Sequence, residues 1–212
     1  MSDKQQALRD LFARFRVIPV LTIARVEDAV PLARALVAGG LAALEITLRT
    51  EAAPQAARAI VSDVPGAIVG LGTVLNARDL AVAEDIGARF ALSPGATPAL
   101  LDAAAAGALP FAPGVGTASE AMAAMERGFR TLKLFPAAQA GGIGMAQALG
   151  GPFPDLRFCP TGGVSAANAA EWLAEPNVIA VGGSWIAPAA DIRAGAWDTI
   201  AQRARAARAL WG

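Results

Sequence analysis

The chain of 212 residues has no histidine and no tyrosine, one cysteine, and equal numbers of basic and acidic side chains, 18 of each. Each shortage removes a class of function. Without histidine there is no serine–histidine catalytic pair, no imidazole proton shuttle and no histidine-ligated zinc. A single cysteine permits neither an intrachain disulfide nor a thiolate cluster, a composition suited to a reducing compartment. Charged residues make up only 17% of the chain, so it lacks both the basic excess of a nucleic-acid binder and an acidic tail. Disorder requires low hydrophobicity and high net charge, and a chain that is 55% hydrophobic has the reverse. The longest stretch without charge, 134–154, carries five Gly and three Pro and is unfit to span a membrane. The opening residues MSDKQQALRDLFARF are too polar for a signal peptide. These features predict a soluble cytoplasmic protein with neither membrane nor nucleic acid as partner.

What is present is alanine, 53 residues of it, and a regular alternation of textures. Leu8, Leu11, Phe12 and Phe15 fit one face of a leading helix. Short runs rich in Val, Ile, Leu and Phe follow at 18–23, 43–48, 68–74, 90–94, 109–113, 131–135, 157–162 and 178–183. Ala-rich stretches with helical spacing separate them, near 27–39, 52–62, 77–86, 98–106, 118–127, 143–149, 166–174 and 196–210. Thr117 with Glu120 reads as a capping box, and Ser165 as an N-cap. Eight strand–helix units after a helix predict a parallel (β/α)8 TIM barrel with an extra N-terminal helix. An open doubly wound sheet alternates likewise, but eight units with no second composition zone favour the barrel. No linker or low-complexity tract interrupts residues 1–212, which predicts a single domain.

Parallel strands covered on both faces should be almost entirely apolar, so polar exceptions carry information. In the second strand Glu45, Thr47 and Arg49 alternate with Leu44, Ile46 and Leu48, placing the polar side chains on one face. They read either as site residues near the barrel mouth or as an interior structural ion pair. In the sixth strand Lys133 sits between Leu132 and Leu134, although arginine supplies 16 of the 18 basic residues. A buried arginine stays protonated, whereas a buried lysine can give up its proton and become a nucleophilic amine. The bland alternative is a lysine whose stem packs while its ammonium meets Glu45. Thr131 and Phe135 share the face of Lys133 by alternation. Glycine pairs end the last two strands, PTGG at 160–163 and VGGS at 181–184, where barrels often bind phosphate. Cys159 reads as a small buried hydrophobe.

The strings EITLRT (45–50), GTVLN (72–76), SPGAT (93–97), LKLFPA (132–137), RFCPTGGV (157–164) and GGSW (182–185) resemble the 2-keto-3-deoxy-6-phosphogluconate aldolases, the KDPG aldolases. The resemblance runs from about residue 17 to 190. It implies a class I aldolase of the Entner–Doudoroff pathway, often active also on 4-hydroxy-2-oxoglutarate (KHG). By that resemblance Lys133 forms the Schiff base and Glu45 is the general acid/base. Arg49 and Thr73 hold the substrate carboxylate, Pro94 and Phe135 wall the pocket, and Thr161 bonds the substrate's polar groups. Gly162, Gly163, Gly183 and Ser184 bind phosphate. The resemblance implies a homotrimer without metal or other cofactor, working on small keto-acid and phosphorylated aldehyde substrates. Leu71 and the segment AAQAGG (137–142) depart from the usual pattern. Rival readings are the 2-keto-3-deoxy-6-phosphogalactonate aldolase, a phosphosugar isomerase or epimerase on the same barrel, and a non-catalytic phosphosugar sensor.

Overall fold

The structure, a computed structural model, describes residues 2–211. The apolar runs become strands β1 (Val17–Leu21), β2 (Ala43–Thr47), β3 (Ile68–Gly72), β4 (Phe90–Leu92), β5, β6 (Thr131–Leu134), β7 (Arg157–Pro160) and β8 (Val181–Gly183). Strand β5 comes in two pieces, Phe111–Ala112 and Gly114–Val115. All ladders are parallel. The first piece of β5 pairs with β4, and β4, β3, β2, β1 and β8 continue in that order; the second piece pairs with β6, and β6 with β7. Bridges Phe158↔Val178 and Thr161↔Gly182 join β7 to the β8 segment, which closes the circle. The result is the expected (β/α)8 barrel.

The outer layer comprises α2 (Ala29–Ala38), α3 (Ala53–Asp63), α4 (Ala77–Ile86), α5 (Pro98–Ala106), α6 (Ala118–Glu126), α7 (Gly142–Gly150), α8 (Ala169–Ala174), α9 (Ala189–Arg193) and α10 (Trp197–Arg208). Small side chains set its thickness: a Cβ on Gly39, after α2, would lie 2.4 Å from Ala204 Cβ of α10. Three helix starts are fixed by side-chain oxygens. Asn76 accepts from Asp79 N, Thr97 from Leu100 N, and Thr117 from Glu120 N, the last being the predicted cap. Two expectations change. Helix α8 starts only at Ala169, so Ser165 is not its N-cap; instead Ser165 N donates to Asn168 Oδ1 and opens a turn. Helix α9 was not foreseen, because five residues are too few to display a helical period.

The core has two layers. Leu44, Ile46, Leu132 and Leu134 face outward into a cluster shared with the helices. Inside the barrel Ile18, Ala43, Phe90, Leu92, Ala112 and Cys159 form a second cluster with Leu8, Phe12 and Phe15. Those last three belong to α1 (Asp3–Phe15), which plugs the N-terminal end of the barrel, Phe12 meeting Phe90 edge-to-face at 5.7 Å. Gln5 lies on the same helix face and is buried. Its Nε2 donates to Phe111 O of β5, and its Oε1 accepts from Arg130 N and Thr131 N at the start of β6. The side-chain amide thus serves as a rung between the lower ends of β5 and β6. Lys4 completes the attachment by donating to the carbonyls of Ala104, Ala105 and Gly107 at the C-terminal end of α5.

Candidate active site

Alternation along β2 and β6 turns Glu45 and Lys133 to the inner face, and the two meet there. Lys133 Nζ donates to Glu45 Oε1 at 2.8 Å, with side-chain exposures of 2% and 1%. Breaking such a pair by removing one partner leaves an uncompensated charge and costs about 3–5 kcal/mol. The pair fits because the facing strand is bare: a Cβ on Gly72 of β3 would stand 2.1 Å from Glu45 Oε1. The other carboxylate oxygen, Oε2, is buried without a hydrogen-bond partner among the described residues. An acceptor left free next to a cation is placed to take a proton from a third group. The Phe135 ring centroid lies 5.5 Å from Lys133 Nζ and forms the apolar wall expected from its shared face. Cys159, the register partner of Lys133 on β7, is fully enclosed; burial first, then the Glu45 charge, push its thiol up to about 12. It is inert at neutral pH.

At the C-terminal ends of the strands lies a cavity of about 120 Å³. Arg49, Phe135, Thr161, Gly162, Gly163, Gly183 and Ser184 line it, so seven of the residues singled out in the sequence share one wall. Thr73 is outside that wall but its hydroxyl accepts from Arg49 Nε at 3.2 Å. Its φ of 60° is unusual for a β-branched residue, a strain of about 1–3 kcal/mol of the kind found at binding sites. Pro94 lies apart, in an adjoining hollow of about 310 Å³ that shares Phe135 with the first. Gly162 and Gly163 take φ of 95° and 79°, and a Cβ on Gly163 would fall 2.3 Å from Ala138 Cβ. The segment after β6 is tied to this loop through Ala137 N to Thr161 O and Ala138 N to Gly162 O. These two bonds couple the lysine strand to the glycine loop. A larger hollow of about 1050 Å³ lies beside α1 at the opposite end and contains none of these residues.

Three polar residues escaped the sequence reading. Thr22 lines the mouth cavity, and Thr47, noted only for its face, is fully buried beside it. Gln5 shares the helix stripe of Leu8, Phe12 and Phe15; that spacing was the available signal. Among the described residues no group of three or more Cys, Asp or Glu side chains is arranged to hold a metal ion, and no helix is long and apolar enough to cross a membrane.

A closed parallel barrel with a buried amine–carboxylate pair below a glycine-rimmed mouth has the layout of a (β/α)8-barrel enzyme. More narrowly, the chain belongs to the KDPG and KHG aldolase family, whose model matches residues 8–203. It is 50% identical over 199 residues to the 2-dehydro-3-deoxy-phosphogluconate aldolase of Pseudoalteromonas atlantica, covering 94% of this chain and 93% of that one. It is 51% identical over 191 residues to the KHG/KDPG aldolase of Escherichia coli strain K12, covering 90% of each. The fold matches the crystal structure of KDPG aldolase from Legionella pneumophila with a TM-score of 0.92 at 43% identity, covering 97% of this chain and 98% of that one. In that structure pyruvate is captured at low pH as a covalent carbinolamine intermediate.

Proposed function

We propose that the chain is a class I aldolase that cleaves 2-keto-3-deoxy-6-phosphogluconate to pyruvate and glyceraldehyde 3-phosphate, and that it also accepts 4-hydroxy-2-oxoglutarate. The observation that carries the reading is the 2.8 Å bond between Lys133 and Glu45 within the barrel. Passing one proton along that bond leaves a neutral amine beside a carboxylic acid. The amine adds to the C2 ketone, a proton reaches the C2 oxygen, and loss of water leaves an iminium. Glu45, again a carboxylate, takes the C4 hydroxyl proton. The electrons of the broken O–H bond form the second bond of the aldehyde carbonyl, and the C3–C4 pair moves to the iminium to give an enamine. Protonation at C3 and hydrolysis release pyruvate and restore the amine. The carbinolamine in the Legionella pneumophila relative supports an addition of this kind in the family.

In the same reading Arg49 and Thr73 hold the substrate carboxylate, and Pro94 and Phe135 wall the pyruvyl group. Thr161 meets the polar chain, while the backbone at Gly162, Gly163, Gly183 and Ser184 receives the phosphate. We further propose one domain over 1–212, a homotrimer, a cytoplasmic location, and a reaction needing no metal or organic cofactor. Borohydride added with pyruvate tests the centre of the proposal. The expected result is irreversible inactivation with a pyruvyl mass on Lys133. No adduct, or one on Lys4, refutes it. A clear rate preference for the galactonate epimer would keep the chemistry and overturn the substrate.

A further inference from the structure

Thr22 follows β1 and turns its side chain to the mouth cavity, where Arg49, Thr161 and Ser184 are the other polar side chains. Its hydroxyl lies 3.1 Å from that of Thr47, and the pair by itself leaves open which one donates. The neighbouring contact resolves it. Thr47 Oγ1 lies 2.9 Å from the carbonyl of Leu21, and a carbonyl only accepts. The shorter contact takes the one proton of Thr47, so Thr47 receives from Thr22. The Thr22 proton is therefore directed into the protein, toward a fully buried neighbour. What Thr22 offers the cavity is lone pairs without a donor.

We infer that Thr22 is a specificity-determining residue that accepts a hydrogen bond from a substrate hydroxyl on the aldehyde-derived half of the chain. The inference rests on the aldolase reading and extends it. With the ketone carbon at Lys133 and the phosphate at the glycine loops, the carbons between must cross the cavity that Thr22 lines. The hydroxyl next to the phosphate-bearing carbon is a donor there, and a hydrogen in its place leaves the oriented oxygen of Thr22 unpaired. The arrangement discriminates against a deoxy chain as well as binding a hydroxylated one.

The test runs the reaction as a condensation of pyruvate with two acceptors, D-glyceraldehyde 3-phosphate and its 2-deoxy counterpart, 3-oxopropyl phosphate. The readout is the ratio of their kcat/KM values. The wild type is expected to favour the hydroxylated acceptor. Thr22→Val, which keeps the shape and removes the oxygen, should lower that ratio about ten-fold, and Thr22→Ser should restore most of it. An unchanged ratio, or an equal slowing of both acceptors, overturns the inference and reduces Thr22 to a support for Thr47. If Thr22→Val does not fold, Thr22→Ala is read by the same ratio. Failure of borohydride to attach pyruvate to the wild-type protein is a different result. It sinks the aldolase reading itself, and the role of Thr22 with it.

Discussion

Gly72→Ala offers a sharp test of how tightly the site is built. The added methyl carbon would stand 2.1 Å from Glu45 Oε1 and 2.7 Å from its Cδ and Cγ, whereas ordinary contact begins at 3.4 Å. The carboxylate must retreat by about 1.3 Å, and for the acid/base proposed above a displacement of that size costs about 100-fold in rate. Overpacking adds a stability loss of about 1–3 kcal/mol. Gly70→Ala on the same strand is the control, because the atoms nearest its new Cβ belong to the Phe90 ring, at 2.2 Å, rather than to the Glu45 carboxylate. Pyruvate release from KDPG, borohydride trapping and thermal melting should be measured on both variants. Both should melt lower, but only Gly72→Ala should lose about two orders of magnitude in kcat at a temperature where it is folded. Wild-type turnover by folded Gly72→Ala would refute the claim that the position of the Glu45 carboxylate limits the reaction.

Lys133→Arg should keep a cation opposite Glu45 and remain folded, yet lose pyruvate trapping and cleavage, since a guanidinium does not become an amine nucleophile; retained cleavage would refute the assignment. Gln5→Leu should lower unfolding free energy by about 3 kcal/mol in urea, because it strands two buried backbone groups and a partly buried one; a loss under about 1 kcal/mol would contradict the rung described between β5 and β6. The Cys159 thiol, raised from 9.0 to about 12, stays protonated in the fold while an unfolded chain ionises first. Its stabilising effect is thus complete below pH 9.0 and is lost as pH rises toward about 12, by at most about 1.4 kcal/mol per pH unit. Cys159→Ala should flatten the alkaline limb of stability by that amount, and an identical slope in both proteins would exclude it.

The barrel was legible because period two and helical spacing alternate along the chain with few exceptions. Helices at 77–86 and 98–106 fall where the sequence places them. Strand β5 does not: the run at 109–113 reads as continuous, but Pro113 has no N–H for a ladder and splits it. The same division leaves the lower part of the β5–β6 seam to a glutamine more than a hundred residues away, which no local pattern announces. Glu45 and Lys133 were visible as charges on apolar strands, and Arg49 joined them by alternation. The mutual 2.8 Å contact was not visible, because it depends on barrel closure and on the bare Gly72 of β3 beside Glu45. Thr22 hid for a different reason. A single hydroxyl at the end of a strand is commonplace, and only its bond to Thr47 gives it a direction.

The floor made by α1 turns the barrel into a vessel with one opening. In the reaction proposed above, a substrate whose ketone reaches Lys133 would go in keto-acid end first, and its phosphate end would stay near the rim. After C3–C4 cleavage the aldehyde is the fragment nearer the exit, while the pyruvyl half is still covalently held below it. By that reading the two products would leave in a fixed sequence, aldehyde before pyruvate, and in reverse a free aldehyde would meet an enzyme already loaded with enamine. Because Leu8, Phe12 and Phe15 fill the far end of the barrel, both products would leave by the same mouth.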